Sequence, residues 1–260
     1  MSPKPKFILQ LETLWKKGNF VCIGLDPDFG KATFSFNKKI IDSTYDLVCC
    51  YKPNIAFYEG YGVDGLLELQ KTIKYIKNKY PQIPVILDIK KGDVGHANLF
   101  NLKYIFDYFQ ADAVTINPYP GKEALKPFLE QKDKGIFVWA KSSNPGSDEF
   151  QNLKIQKDPL YIVVAKHVAE EWNYNGNCGL IVGATYPKEL AVVRKVVGEM
   201  PILIPGVGAQ GGDLKASVKA GIDSRGLGII VSSSRGIIFA ENPREAAKKL
   251  RDEINKYRNL

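Results

Sequence analysis

The chain has 260 residues, 45% hydrophobic and 25% charged, with 23 Gly and 15 Pro. That composition excludes a disordered chain, a collagen-like fibre and a disulfide scaffold, and the length suits one α/β barrel of about 250 residues. The formal net charge of +8 points to an anionic partner, but the lysines are scattered over "KTIKYIKNKY" and the C-terminal "REAAKKLRDEINKYRNL" with no aromatic-interleaved stripe. They read as solvated helix faces and not as a nucleic-acid footprint, which leaves a general attraction for phosphorylated metabolites.

The N-terminal "MSPKPKFILQLETLW" lacks the apolar core and small-residue cleavage site of a secretory leader, and no segment nears the ~18 continuous apolar residues of a membrane span. Cys22, Cys49, Cys50 and Cys178 lie in apolar runs without a CxxC pair and read as small buried hydrophobes in a reducing compartment. The expected setting is cytoplasmic.

Eight short apolar runs follow one another: "NFVCIGL" from Asn19, "CCYKPNIAF" from Cys49, "PVILDIK" from Pro84, "DAVTINP" from Asp112, "GIFVWAK" from Gly135, "CGLIVGA" from Cys178, "PILIPG" from Pro201 and "LGIIVSS" from Leu227. Between them, apolar residues recur at helical spacing, as in Leu66, Leu67, Leu69, Ile73 and Ile76, then Leu99, Leu102, Ile105, Phe106 and Phe109. Parallel strands need helical crossovers, so this alternation predicts a (β/α)8 TIM barrel, a single domain over residues 1–260, with a doubly wound open sheet as the runner-up. The longest irregular stretch, Ser142 to Lys154, is a candidate lid.

The third run carries charge where a strand should be apolar. On a strand, Asp88 and Lys90 share one side and Leu87 and Ile89 the other, so in a barrel the charged pair faces the axis near the C-terminal rim, where active sites of this fold sit. The ends of other strands bring Asp26, Lys52 and the serines of "WAKSSNPG" to the same rim. The Gly-rich "PGVGAQGGD" and the "SSSRGI" turn suit a phosphate, with Gln210 and Arg235 as its side-chain contacts. Asn117 at the end of the fourth strand suits a turn as well as a site. Trp139 reads as core, Tyr186 as a possible cavity wall, and His167 as a surface or packing residue.

The D-x-K-x-x-D pattern of "LDIKKGDVG" resembles the orotidine 5'-monophosphate decarboxylase suprafamily, and "IGLDPD", "YKPNIAFYE", "DAVTINPY", "SSNPG", "VGATYP", "PGVGAQGG" and "SSSRGI" resemble the decarboxylases within it. The resemblance implies conversion of orotidine 5'-monophosphate to uridine 5'-monophosphate, the last step of de novo UMP biosynthesis, without cofactor or metal. It implies a catalytic array of Lys52, Asp88, Lys90 and Asp93, with Lys90 stabilising and then protonating a C6 carbanion. Asp93 would serve the partner subunit's site, making a homodimer. Asp26 matches a ribose contact, Ser143 a pyrimidine contact, which an offset of one would shift to Ser142, and Gln210 and Arg235 the phosphate contacts. Where many members carry a ribose-contacting Thr, this chain has Ala97, beside which Asn98 is a candidate substitute. Orotate phosphoribosyltransferase, the upstream enzyme, is a candidate associate. The alternatives are a metal-dependent sugar-phosphate decarboxylase of the same suprafamily, holding Mg2+ on hard oxygen ligands, and a non-catalytic pyrimidine-nucleotide-binding barrel.

Overall fold

The structure is a computed structural model that describes residues 4–28, 33–208 and 211–258. Its strands are β1 (Val21–Ile23), β2 (Val48–Tyr51), β3 (Ile86–Lys91), β4 (Ala113–Ile116), β5 (Gly135–Lys141), β6 (Lys154–Ile155), β7 (Asp158–Pro159), β8 (Cys178–Val182), β9 (Ile202–Pro205) and β10 (Ile229–Ser233). Eight of them form one parallel sheet in the order β2-β1-β10-β9-β8-β5-β4-β3, and β6 with β7 makes a small antiparallel hairpin. The sheet edges meet: Tyr51 bridges Val85 and Asn54 bridges Asp88, through Tyr51 N–H to Pro84 O at 3.1 Å and Asp88 N–H to Pro53 O at 3.0 Å. Closure settles the architecture as the barrel and sets aside the open sheet.

All eight sequence runs become barrel strands. The second is shorter than its pattern, because regular pairing stops at Tyr51 and Ala56–Glu59 turns into helix. Pro53 has no N–H to extend a ladder. The helix Gly62–Lys79 buries Leu69, Thr72, Ile73 and Ile76 along one stripe, as the spacing predicted. The second apolar series is helical too, as an α segment Gly95–Leu102 and a π segment Lys103–Tyr108. Ile105 and Phe109 are buried, but Leu99 and its neighbour Phe100 face solvent.

At the N-terminal end of the barrel, Phe7 from the helix Lys6–Lys16 meets Phe137 edge-on, with ring centroids 5.8 Å apart. Gly135 makes room for it, since a Cβ there would come within 2.5 Å of the Phe7 ring. The same end is laced by Arg194, buried in the helix Pro187–Val197. Its Nε donates to Gly221 O at 2.6 Å, Nη1 to Gly198 O at 2.6 Å and Met200 O at 2.7 Å, and Nη2 to Gly228 O at 2.7 Å. One guanidinium thus fixes the turns entering β9 and β10. Arg194→Met is expected to lower stability by about 3 kcal/mol, since buried acceptors lose their donors. A urea midpoint checks this, and a shift worth under about 0.5 kcal/mol would show the contacts to be dispensable.

Candidate active site

A cavity of about 550 Å³ opens at the C-terminal ends of the strands. Its apolar floor includes Ile181 of β8 and Leu203 of β9, and its polar wall includes Asp26, Lys52, Asn54, Asp88, Lys90, Ser142, Ser143 and Arg235. Of the sequence candidates, Asp26, Lys52, Asp88, Lys90, Ser143 and Arg235 line this one space. Gln210 lies outside the described residues.

Asp88 is the centre. Lys52 Nζ reaches its Oδ2 at 2.9 Å and Lys90 Nζ its Oδ1 at 2.7 Å, while Thr115 Oγ1 donates to Oδ1 at 2.8 Å. Asp88 and Lys52 are only 7% and 6% exposed. Burial pushes the Asp88 carboxyl up, but the charges and hydrogen bonds of Lys52 and Lys90 outweigh it and hold the group well below the usual carboxylate range. For Lys52, burial pushes the ammonium down, and the charges of Asp88 and Asp26 outweigh this and drive it well above its ordinary value. Asp88 and Lys52 are therefore held in their charged forms in the folded chain.

The local backbone explains the arrangement. Leu87 pairs with Val114 and Lys91 with Ile116 across a register shift, so Asp88, Ile89 and Lys90 bulge opposite Thr115 alone. Lys90 sits at φ +49°, the left-handed region that non-glycine residues seldom enter. Its Nζ lies 5.7 Å from the Trp139 ring centroid. Trp139 packs against the core, as read from the sequence, and also lines the cavity.

Asp26 lies beside the array. Its Oδ1 accepts from Asn54 N at 3.0 Å and its Oδ2 from Ser234 Oγ at 2.5 Å. Gly24 permits the second contact, since a Cβ there would sit 1.8 Å from Ser234 Oγ. Next in the chain, Arg235 is exposed at the cavity rim and has no ion-pair partner among the described residues. Across the turn after β9, Gly206 and Gly208 take φ of +93° and +73°, which glycine alone adopts without strain.

The stretch from Ser142 to Lys154 is less irregular than its composition suggests. It holds a 3-10 turn (Pro145–Ser147), a short helix (Asp148–Gln151) and the first hairpin strand. Lys141, fully buried, pins it: Nζ bonds Asp148 Oδ1 at 2.6 Å and Asn152 Oδ1 at 2.9 Å, and lies 4.3 Å from the Tyr186 ring centroid. Ser142 N–H donates to Gln151 Oε1 at 2.9 Å, and the Ser142 hydroxyl is paired with the same side chain. Ser143 has no such side-chain partner among the described residues, and both serines line the cavity.

Asp93 stands apart. It is exposed, does not line the cavity of its own chain, and accepts from Val94 N–H at 2.6 Å. Asn98 does not substitute for the missing Thr at Ala97: it is fully buried, and its amide donates to Asp93 O and Ala124 O, each at 2.7 Å, while its Oδ1 accepts from Asp93 N–H at 3.2 Å. Asn117 accepts from Tyr119 N–H in a turn, and His167 pairs with Glu171 on the surface. The sequence reading passed over Thr115 and Lys141. For Lys141 the signal was the same as for Asp88, a charge closing an apolar strand; for Thr115 there was none, because Thr is ordinary in a strand.

A closed parallel barrel that gathers a lysine–aspartate–lysine trio, with Lys52 and Asp88 buried, and a rim arginine without an ion-pair partner among the described residues around one cavity is a barrel enzyme for a small anionic substrate. Known proteins narrow the class. The profile of the "Orotidine 5'-phosphate decarboxylase / HUMPS family" matches residues 19–250, and the chain belongs to that family. It is 43% identical to an orotidine 5'-phosphate decarboxylase of Ralstonia pickettii over 98% of this chain and 100% of the relative. Among solved structures it is similar to Leishmania donovani OMP decarboxylase, with a TM-score of 0.92 and 38% identity over 98% of this chain and 100% of that one. It is also similar to Leishmania donovani UMP synthase, with a TM-score of 0.94 and 40% identity over 98% of this chain, which spans 57% of that longer one.

The depressed Asp88 carboxyl contributes stability above its unfolded pKa, and that contribution is lost as pH falls through the folded value. Lys52→Met removes one ammonium opposing burial, so Asp88 should protonate at a higher pH. The acid limb of kcat/KM is then expected at a higher pH in Lys52→Met than in the unmodified chain. A pH–rate series on both proteins checks it.

Proposed function

We propose that this chain decarboxylates orotidine 5'-phosphate to uridine 5'-phosphate as a cofactor-free carboxy-lyase of pyrimidine biosynthesis. The observation that carries this reading is the Lys52–Asp88–Lys90 trio, its carboxylate buried, at the cavity wall of a chain from this family. When the C6–carboxylate bond breaks, its electron pair stays on C6, in an orbital the ring carbonyls do not delocalise. The Lys90 ammonium, held in place by Asp88, supplies fixed positive charge beside that carbon and then transfers a proton to it, leaving CO2 and the nucleotide product. A preoriented charge in a cavity of low polarity needs no reorganisation as the reaction proceeds. Asp88, facing the departing carboxylate, adds repulsion that is relieved when CO2 leaves.

Binding is divided among the other groups. Asp26 takes a ribose hydroxyl, Ser143 the pyrimidine, and Arg235 with Gln210 the phosphate, so binding energy far from C6 is used to hold the base against Lys90. Arg235→Ala should raise KM at least about 100-fold, since it loses a charge-assisted phosphate contact. Lys90→Ala should abolish measurable turnover while leaving product affinity within about tenfold. Following the absorbance of orotidine 5'-phosphate with each protein, with and without chelator, tests both. Near-normal turnover by Lys90→Ala would overturn the mechanism, and loss of activity in chelator would favour a metal-dependent sugar-phosphate decarboxylase.

The site is completed across a homodimer, in which Asp93 of each chain enters the other's cavity. Its exposure beside Val94, Leu99 and Phe100, which are 65%, 49% and 62% exposed, supports this. Co-refolding inactive Lys90→Ala with inactive Asp93→Ala chains should restore about a quarter of the original activity, because half the dimers are mixed and each holds one intact site. No recovery would place Asp93 in its own chain's site. The four free, buried thiols fit a cytoplasmic setting. Orotate phosphoribosyltransferase, which makes the substrate, is the proposed associate, and the match to UMP synthase supports it.

A further inference from the structure

We propose that Thr115 is a positioning residue for the decarboxylation, acting through the bulge that carries Asp88 and Lys90; this rests on the decarboxylase reading of the cavity. Thr115 is fully buried in β4 and does not line the cavity. Its hydroxyl has one hydrogen and two lone pairs, and all three are used on the bulge. It donates to Asp88 Oδ1 at 2.8 Å and accepts from Ile89 N–H and Lys90 N–H, both at 3.0 Å.

In an unbroken parallel pair, backbone carbonyls would take those N–H groups. Here Leu87 pairs with Val114 and Lys91 with Ile116, so one threonine side chain takes the place of the ladder for the Ile89 and Lys90 N–H groups. That substitution keeps Lys90 at φ +49°, the left-handed region that a side-chain-bearing residue leaves unless it is held there. The same hydroxyl shares Oδ1 with Lys90 Nζ, whereas Lys52 holds Oδ2. Thr115 therefore sets both the rotation of the Asp88 carboxylate and the place from which the Lys90 side chain departs. Without it, two N–H groups lose their acceptor, and the bulge can relax to an extended backbone that aims Lys90 elsewhere. Substrate contacts at Asp26, Ser143 and Arg235 are untouched, so the effect belongs in kcat.

The test compares Thr115→Val, which keeps shape and removes the hydroxyl, with Thr115→Ser, which keeps the hydroxyl and removes the methyl, alongside the unmodified chain. Steady-state kinetics on orotidine 5'-phosphate, titration with uridine 5'-phosphate and thermal melts are run on all three. Thr115→Val should lose about 100-fold in kcat, the scale of a misplacement near 1 Å, with KM and product affinity within about threefold. Thr115→Ser should stay within about fivefold of the unmodified kcat although its melting temperature falls. If Thr115→Val does not fold, Thr115→Cys, a weak donor of similar size, should have a lower kcat than Thr115→Ser with KM unchanged. A Thr115→Val chain that melts lower yet keeps its kcat overturns the inference, as does a Thr115→Ser chain as slow as Thr115→Val. An unmodified chain that binds nucleotide without converting it would instead refute the decarboxylase reading, and no variant is needed to see that.

Discussion

The structure depends on keeping one carboxylate ionised out of water. An unpaired buried charge costs several kcal/mol even after relaxation, and Asp88 avoids that through Lys52 on one oxygen and Lys90 with Thr115 on the other. Each partner comes from a different part of the sheet: Lys52 follows β2, Lys90 belongs to the bulge in β3, and Thr115 lies in β4. The cluster cannot form before those strands are adjacent. Electrostatics at the site and closure of the barrel are therefore one event.

Much of this was legible in the sequence, although not always for the right reason. Eight apolar runs with helical intervals identify the barrel, because a parallel strand buried on both sides must be apolar along its length. Asp88 and Lys90 were placed on a common face by the period-two rule for a flat strand. They do face one cavity, but Lys90 arrives there through a left-handed turn within a bulge, which alternation does not reveal. Asp26, Ser143 and Arg235 were visible because polar residues crowd strand ends that all point one way. Thr115 was not visible, since its role depends on which three residues stand across from it. Lys141 was passed over as the tail of an apolar strand, and Asn98, a candidate for the ribose contact, spends its amide on its own turn and on Ala124 O of the next helix.

Lys141 changes the character of the candidate lid. Its ammonium is buried, and both its hydrogen-bond acceptors, Asp148 and Asn152, belong to the segment it holds. Swinging that segment away would strand a cation with only the faces of Tyr186 and Tyr161 for company. Cation–π contact, about 2 kcal/mol or more when desolvated, does not replace two hydrogen bonds to a charged group, each about 1.5–3 kcal/mol. The segment behind Ser142 and Ser143 is accordingly a fixed wall with its own small core of charge and aromatic rings.

The barrel closes at β2 and β3 with isolated bridges at Tyr51–Val85 and Asn54–Asp88 instead of a regular ladder. A join made of so few backbone bonds is where a barrel would open first. That join carries Asp88 and lies against Lys52, so a ligand seated on those groups is lost when the seam parts. Occupancy and closure are then linked by mass action: nucleotide present at about 100 times its dissociation constant adds about 2.7 kcal/mol against opening. A pool of substrate thus acts as a folding ligand, and protection from proteases or heat would follow the nucleotide supply of the cell as well as the sequence of the chain.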